Sequence, residues 1–367
     1  MNNRFAQYLA NHRWPTITAR LLVAVVFLFS AVVKTLDPYG TVLKLEEYFA
    51  AAGVEWLDDA SAFMAVALVT IESLLGAALL VGAWPRTMAR LAVVVCSLFA
   101  LLTLWVVIAN PVADCGCFGD LIVLSNGATF AKNLLLLALS IVLLLGVRQR
   151  RTKLLVAVVP LVVGAAVATL ASYALIDQPF VDRFPFKTGT NLREEMNKVY
   201  QEKLQNSYVI CRNLHDGRTE RFGADDPTWW DESEWEFVEM ESPEEESTIE
   251  VKMSDFAITS GGLDITAQLL EMPMCRLCIV EDVSRLSEEE LAKMRALTMT
   301  FIRRVERTVV VTASSLKAAS LKFPGVEVAN MDAVTMRALL RAPAGVVTLE
   351  RGVIRQKLGL GVIKNPS

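Results

Sequence analysis

The chain has 367 residues, 53% of them hydrophobic and 21% charged, and its formal net charge at pH 7 is −4. So small a charge, with no basic patch among aromatic residues, gives no indication of nucleic-acid binding. The length predicts two or three domains, and the composition changes near Ile176 from Leu-, Val- and Ala-rich to mixed and charged. The first half is therefore predicted to lie in a lipid bilayer and the second to form a soluble domain.

Five apolar runs in the first half each approach the roughly 20 residues that a helix needs to cross a bilayer. The first run lacks a small-residue cleavage site followed by soluble sequence, so we interpret it as a helix and not as a signal peptide. The five predicted spans are Thr18–Leu36, Ala60–Gly82, Thr87–Ala109, Ala128–Val147 and Leu154–Ile176.

Charged residues in the connections predict the orientation of these spans. Arginine and lysine occur in the N-terminal tail and in the second and fourth connections. The first connection is mainly acidic, and the third contains no arginine or lysine. Because basic loops stay in the cytoplasm, the N-terminus is predicted to lie inside. An odd number of spans puts everything after Ile176 outside. For a bacterial inner membrane this space is the periplasm, where disulfides form.

Three polar residues near the first two spans are candidates for function. Lys34 and Asp37 can share a helix face, either as a lysine reaching the membrane surface beside a capping aspartate or as a charged pair facing the third connection.

Thr41–Phe49 is predicted to form a short amphipathic helix on the outer surface. Glu72 should face the bundle interior, as a hydrogen-bonded structural group or as part of a proton-transfer or quinone site. Gly76, one turn further on, permits close helix approach.

The third connection contains Cys115 and Cys117 on either side of Gly116. A disulfide between cysteines two apart closes a small, strained ring, and strained exposed disulfides exchange readily. The neighbouring Asp114 and Asp120 do not favour a thiolate. The pattern is therefore more typical of a redox-cycling pair than of an activated nucleophile.

Two other interpretations of this loop stay open. The cysteines can be structural, either bridged elsewhere or reduced, or they can bind a metal. A zinc site needs four ligands, and the chain has only two histidines, of which His12 lies on the predicted cytoplasmic side, so we predict no metal. Lys132, at the start of the fourth span, is either an interfacial anchor or a group that polarises the cysteine loop or a bound quinone. Cys96 in the third span is predicted to be a packing residue.

The second half begins with an aromatic-rich linker, 177–191, predicted to lie on the membrane surface or the top of the bundle. A hairpin with Asp216-Gly217 at its turn follows. The remaining pattern predicts alternating strands and helices that end in a second hairpin. These are strand Met274–Val283, helix Ser287–Arg303, strand Thr308–Thr312, helix Ser314–Lys322, strand Val326–Ala329, helix Asp332–Arg341, and strands Gly345–Glu350 and Val353–Lys357. The helix Ser287–Arg303 is predicted to open with Ser287 as its cap and Glu288–Glu290 in its first turn, the pattern of a capping box.

The first half resembles the MauE/DoxX superfamily of membrane proteins, and its cysteine motif is most similar to the MauE branch. The resemblance rests on Lys34-x-x-Asp37-Pro38, on Glu72 with the glycines that follow it, and on Cys115-Gly-Cys117-Phe-Gly. It covers roughly residues 1–150. It implies a four-helix bundle, distantly similar to DsbB and vitamin K epoxide reductase, that serves disulfide formation or redox maturation of exported proteins. The branch is named for methylamine utilisation. The fifth helix and the outer domain lie outside this core, so the client can differ.

The second half, with strand–helix–strand followed by helix and hairpin, resembles the thioredoxin-like fold. In that resemblance Pro343 takes the place of the fold's cis-proline. Cys275 and Cys278 have CxxC spacing, but they lie at the start of the first core strand, whereas the thioredoxin motif opens a helix at its end. Residues three apart on a strand point to opposite faces, so we interpret both, and Cys211, as structural. Such a domain would bind or position a client.

We therefore predict a membrane helical bundle, with a four-helix MauE/DoxX-like core and a fifth span, followed by an α/β thioredoxin-like domain outside the cytoplasm. The predicted boundaries are 1–150 for the four-helix domain, 151–191 for the fifth helix and linker, 192–253 for a β-rich hairpin region and 254–367 for the thioredoxin-like domain.

The function predicted is that of a membrane thiol–disulfide redox protein that assists disulfide formation or maturation of exported proteins. Its expected partner is an exported client protein or a periplasmic redox protein, and a membrane quinone near Glu72 or Lys132 is the candidate electron acceptor. The alternative is a non-catalytic scaffold that binds a partner through its outer domain, and a transporter has little support because no span is paired with a second broken helix. Cys115 and Cys117 are the predicted catalytic residues. The predicted supporting residues are Lys34, Asp37, Glu72, Asp114 and Lys132.

Overall fold

A computed structural model describes residues 13–112, 116, 124–148, 151–181, 186–241, 253–304 and 307–363. The chain divides into a membrane unit, Met1–Val181, and a second unit, Asp182–Ser367, which is called the outer unit after its predicted location outside the cytoplasm. This division falls within the segment 151–191 that the sequence assigned to the fifth span and linker. Each unit is described by itself.

The described part of the membrane unit consists of helices. Among the described residues, five helices are long and apolar enough to cross a membrane, and their ends lie within five residues of the predicted spans. The predicted membrane bundle is thereby confirmed. The helices are α1 (Arg13–Leu36), α2 (Pro38–Ala52), α3 (Ser61–Val81), α4 (Pro85–Ala109), α5 (Asn126–Gly146) and α6 (Leu154–Ile176), with α2 the short one.

Short-range signals in the sequence begin and end these helices. Asp37 caps α2, because its side chain accepts a hydrogen bond from Gly40 N at 3.1 Å, and Pro38 occupies the first turn, where a missing N–H costs nothing. Ser125 caps α5 in the same way by accepting from Ala128 N. The capping role predicted for Asp37 is confirmed.

Close packing of α3 against α1 fixes the centre of the bundle. A Cβ atom at Gly76 would lie 2.7 Å from Leu28 Cγ and 3.0 Å from Leu28 N, so only glycine permits this approach. The amphipathic helix α2 is longer than predicted. Val42 and Phe49 on α2 are buried, so its apolar side packs within the unit and does not lie open on the membrane surface.

Two sheets form the described part of the outer unit. A three-stranded antiparallel sheet has the order β2-β1-β3, and a seven-stranded mixed sheet has the order β10-β9-β6-β7-β8-β4-β5. The strands are β1 (Tyr208–Asn213), β2 (Thr219–Gly223), β3 (Trp235–Glu241), β4 (Thr259–Ser260), β5 (Leu263–Asp264), β6 (Cys275–Val280), β7 (Arg307–Thr312), β8 (Val328–Asn330), β9 (Ala344–Glu350) and β10 (Val353–Gly359). The helices are α7 (Leu192–Gln205), α8 (Thr266–Glu271), α9 (Glu288–Arg303), α10 (Leu316–Lys322) and α11 (Ala333–Leu339).

The connectivity of the large sheet agrees with the predicted order of elements. Strand β6 pairs in parallel with β7 after the crossover through α9, and β7 pairs in parallel with β8. Strand β9 returns antiparallel to β6 and pairs with β10 in the closing hairpin. Helix α9 opens with the predicted capping box of Ser287 and Glu290.

Two details of the sequence interpretation are wrong. Phe186, in the linker predicted to lie against the membrane, is fully buried in the core of the outer unit with its ring 5.5 Å from that of Phe256. Pro343, expected in the position of a cis-proline, follows a trans bond, since the described residues contain no cis peptide.

Candidate functional site

A cavity of about 200 Å³ lies inside the membrane unit, between α1, α2, α3, α4 and α5. A water molecule takes about 30 Å³ of liquid, so the cavity is larger than a single water site. Its wall is mainly aliphatic and aromatic, with the rings of Phe27, Tyr48 and Phe99 among the lining groups. Apolar cavities with a few convergent polar groups are typical of small-molecule sites.

A buried ion pair forms the polar centre of this cavity. Lys34 Nζ on α1 lies 2.6 Å from Glu72 Oε1 on α3, and the two side chains are only 6% and 1% exposed. Lys34 also donates to Ser30 Oγ, one turn earlier on the same helix, at 3.0 Å. The lysine therefore bonds inside the bundle and does not reach to the membrane surface. The close approach of α1 and α3 at Gly76 brings the side chains of Lys34 and Glu72 within bonding distance.

Glu72 retains an unused acceptor. Within the described chain, its second carboxylate oxygen, Oε2, is buried and accepts no hydrogen bond. A buried polar atom without a partner costs free energy, so such atoms are rare in folded proteins and often mark functional positions. Glu72 is also among the residues that line the cavity.

Helix α5 contributes a second polar group of residues to the cavity. Asn133, buried at the α4–α5 contact, donates to Thr103 Oγ1 at 3.2 Å and Phe99 O at 3.4 Å. Lys132 also lines the cavity. The sequence thus identified Lys34, Glu72 and Lys132 separately, and the structure brings all three to one cavity.

The loop that contains the cysteines reaches the same cavity at one described residue. Gly116 lines the cavity with φ of +64°, a conformation that favours glycine. A Cβ atom there would lie 2.7 Å from Lys44 Cγ of α2, so the backbone packs directly on that lysine. Cys115, Cys117 and Asp114 lie outside the described residues, and their roles stay predictions.

The sequence interpretation of two other residues needs revision. Lys34, considered there as a partner of Asp37, bonds to Ser30 and Glu72, while Asp37 caps α2 and does not line the cavity. The sequence analysis also missed Lys44 and Thr103 as lining residues. The spacing of Ser30 four residues before Lys34 was a usable signal, because residues one turn apart share a helix face.

The cysteines Cys211, Cys275 and Cys278 of the outer unit are all buried. Cys275 and Cys278 on β6 belong to the two separate cores on opposite faces of the sheet, as predicted from their spacing. Burial raises the pKa of Cys275 to about 12, although Arg307 and Arg276 oppose the shift. Burial also raises the pKa of Cys278 to about 11, against a hydrogen bond from Thr298. Neither thiol is a ready nucleophile near neutral pH.

An ion pair lies at the end of β6, the position at which the thioredoxin fold would have its CxxC motif. Glu281 follows the strand, and Arg337 of α11 bonds its Oε1 atom through Nη2 at 2.6 Å and Nε at 2.8 Å. Among the described residues, no cluster of three or more histidine, cysteine or acidic side chains could hold a metal ion. The cysteine loop is outside that search, so the absence of a metal stays a prediction.

Comparison with known proteins supports the sequence resemblance for the membrane unit. Residues 12–146 match the family model described as "Methylamine utilisation protein MauE". This match covers a little over a third of the chain and includes all the spans that line the cavity, so the region is MauE-like. No match was found among curated proteins or among solved structures.

Proposed function

We propose that this membrane protein catalyses thiol–disulfide exchange through Cys115 and Cys117 and so assists the maturation of exported proteins. The single observation that carries the proposal is the position of Gly116. The residue joining the two cysteines lines a cavity that also contains the buried Lys34–Glu72 pair. The MauE-like match supports an accessory role in methylamine utilisation.

The exchange step balances without any other reactant. Two thiols of a client reduce a Cys115–Cys117 disulfide, the client gains one disulfide, and the two cysteines become thiols. Positive charge near a thiol favours the reactive thiolate; Lys44 packs against Gly116, and Lys132 lines the same cavity. These lysines would counter the acidic neighbours in the loop.

Repeated turnover requires an electron acceptor, and a membrane quinone fits the cavity's residues. The aromatic and aliphatic walls suit a ring, and the unused Glu72 Oε2 suits a group that exchanges protons. A bound quinone would accept the two electrons and two protons released when the cysteines re-form their disulfide. The chain's own contribution would be an apolar wall that includes Phe27 and Phe99 and a carboxylate, Glu72, that would exchange protons.

The outer unit is proposed to bind the client through a thioredoxin-like fold. The parallel β6–β7 pair joined by α9, followed by the antiparallel β9–β10 hairpin, supports that fold. Its buried cysteines support binding without electron exchange. The basic connections support a bacterial inner membrane location, with this unit in the periplasm.

Replacement of the loop cysteines tests the exchange proposal. Cys115→Ser, Cys117→Ser and the double variant should each abolish disulfide formation in a periplasmic client while the protein still accumulates in the membrane. Cys96→Ser is the matched control, since that cysteine is buried in α4 against Ser140 and should be dispensable.

A non-catalytic scaffold is the second candidate, and one surface favours it. Strand β3 lies at an edge of the three-stranded sheet and exposes Phe237, Val238 and Met240, a surface suited to a partner protein. On this alternative, the double cysteine variant would mature the client as well as the parent protein does. Substitution of the three exposed residues on β3 would then be the damaging change.

A further inference from the structure

We infer that Glu72 Oε2 is the acceptor for a hydroxyl group of a lipid-soluble aromatic ligand bound in the cavity, and that the site prefers the reduced, hydroxyl-bearing form of a quinone. The inference deepens the proposed function and rests on it for the source of the ligand. The site itself rests only on described residues.

The cavity wall selects an aromatic, uncharged molecule. Rings of Phe27, Tyr48 and Phe99 line it together with leucines from four helices, so a flat ring finds both apolar and aromatic contacts. The cavity lies within the part of the chain that can span a membrane, where a lipid-soluble molecule is concentrated.

The charges around the cavity exclude most other ligands. A cation would meet the ammonium groups of Lys34, Lys44 and Lys132. An anion on the Glu72 side of the cavity would meet carboxylate oxygen Oε2, which has no partner among the described residues. A neutral molecule with an O–H donor avoids both conflicts, because it can satisfy that oxygen without adding charge.

The arrangement of the ion pair directs the hydrogen bond to one oxygen. Glu72 Oε1 is engaged by Lys34 Nζ at 2.6 Å, and Lys34 is itself positioned by Ser30 Oγ. Among the described residues Oε2 has no partner, so it is the oxygen left for a ligand, and an ionised carboxylate accepts but does not donate. A hydroquinone offers O–H donors, whereas the corresponding quinone offers only carbonyl acceptors, which the carboxylate repels.

The test measures binding and requires no turnover. The full chain carrying Cys115→Ser and Cys117→Ser is placed in lipid nanodiscs, so that the probe is not oxidised or reduced by the loop. Trimethylhydroquinone and trimethylbenzoquinone, which have nearly the same shape, are compared by equilibrium dialysis under anaerobic conditions. We expect the hydroquinone to bind at least about tenfold more tightly, as one charge-assisted hydrogen bond predicts. Equal affinities, or tighter binding of the quinone, would overturn the inference.

Substitutions distinguish the loss of the hydrogen-bond acceptor from a loss of the folded structure. Glu72→Gln should reduce the preference to under about twofold, and the matched control Glu55→Gln, an exposed glutamate outside the cavity lining, should retain it. Because Glu72→Gln leaves Lys34 without its counter-charge, the double variant Lys34→Met/Glu72→Gln removes both charges at similar volume and should also lose the preference. Leu68→Trp fills the cavity while keeping the ion pair, and it should abolish binding of both probes. Parent-like discrimination in the two Glu72 variants would contradict the assignment.

The outcomes distinguish the two proposals. If the hydroquinone preference is present and depends on Glu72 while the loop cysteines prove dispensable, the site stands and the exchange function fails. If the cysteines are essential but the Glu72 variants bind the probes as the parent does, the function stands and this inference fails.

Discussion

Each unit of the molecule contains a glutamate bonded to a basic side chain, but the two pairs have different surroundings. In the outer unit, Arg337 makes two bonds to Glu281 at the end of β6, and the side chains are 31% and 18% exposed. In the membrane unit, the Lys34–Glu72 pair is almost fully buried, lines a cavity and leaves one carboxylate oxygen unbonded among the described residues. The comparison indicates that the first pair ties elements together, whereas the second is placed to meet a ligand.

Loss of one partner of the membrane pair should give the largest effect. Glu72→Ala leaves the ammonium group of Lys34 buried without its counter-charge, and we expect a loss of about 3–5 kcal/mol in the free energy of unfolding. Denaturant titration in detergent or nanodiscs measures it. The double variant Lys34→Met/Glu72→Gln should recover most of the loss. If the single and double variants were equally unstable, burial of an unpaired charge would not be the cause.

The helix contact that supports this pair should give the next largest effect. Gly76→Ala puts a methyl group against Leu28 and should cost about 1–3 kcal/mol through overpacking. Gly127→Ala is the matched control, because a Cβ atom there meets nothing within 4 Å. Thermal unfolding of both variants checks the difference. Equal stability of the two would show that α1 and α3 can separate without cost.

Breaking the pair in the outer unit should cost less. Glu281→Gln removes the charge from a partly exposed ion pair but keeps a hydrogen-bond acceptor, so we expect a loss of roughly 1 kcal/mol in the free energy of unfolding. The same denaturant titration applies. A loss as large as that of Glu72→Ala would remove the proposed contrast between the two pairs.

The last expected effect is a pH dependence from the buried cysteines, which is small near neutral pH and grows above the ordinary thiol pKa. Their raised pKa values mean that the unfolded chain releases these protons first as pH rises, so the free energy of unfolding should fall above the ordinary thiol value of 9.0 and continue to fall towards about 11 for Cys278 and 12 for Cys275. Comparing unfolding of the parent with Cys275→Ala/Cys278→Ala between pH 8 and pH 10 measures this slope. An identical slope in both proteins would show that the thiols ionise freely in the fold.

Much of the fold follows from local patterns in the sequence. Apolar runs identified the five spans because a bilayer requires continuous hydrophobic length, and Ser287 with Glu290 identified the start of α9 because a capping box satisfies its free N–H groups. The opposite directions of Cys275 and Cys278 followed from the two-residue period of a strand.

The candidate site was only partly predictable. Glu72 was identified as an interior carboxylate because a charge in a membrane span is costly, but its partner Lys34 is 38 residues away, and only packing of α1 on α3 brings the two together. Phe186 was assigned to the membrane surface, since an isolated aromatic residue in a linker does not show which apolar core it joins.

The most direct test of the central claim is the redox state of Cys115 and Cys117 in intact membranes. Mass-tagging of thiols, in a variant that lacks Cys96, Cys211, Cys275 and Cys278, reports these two alone. We predict that the pair changes between disulfide and dithiol as the membrane quinone pool is oxidised and reduced. A pair that stays in one state under every condition would contradict the account and favour the scaffold.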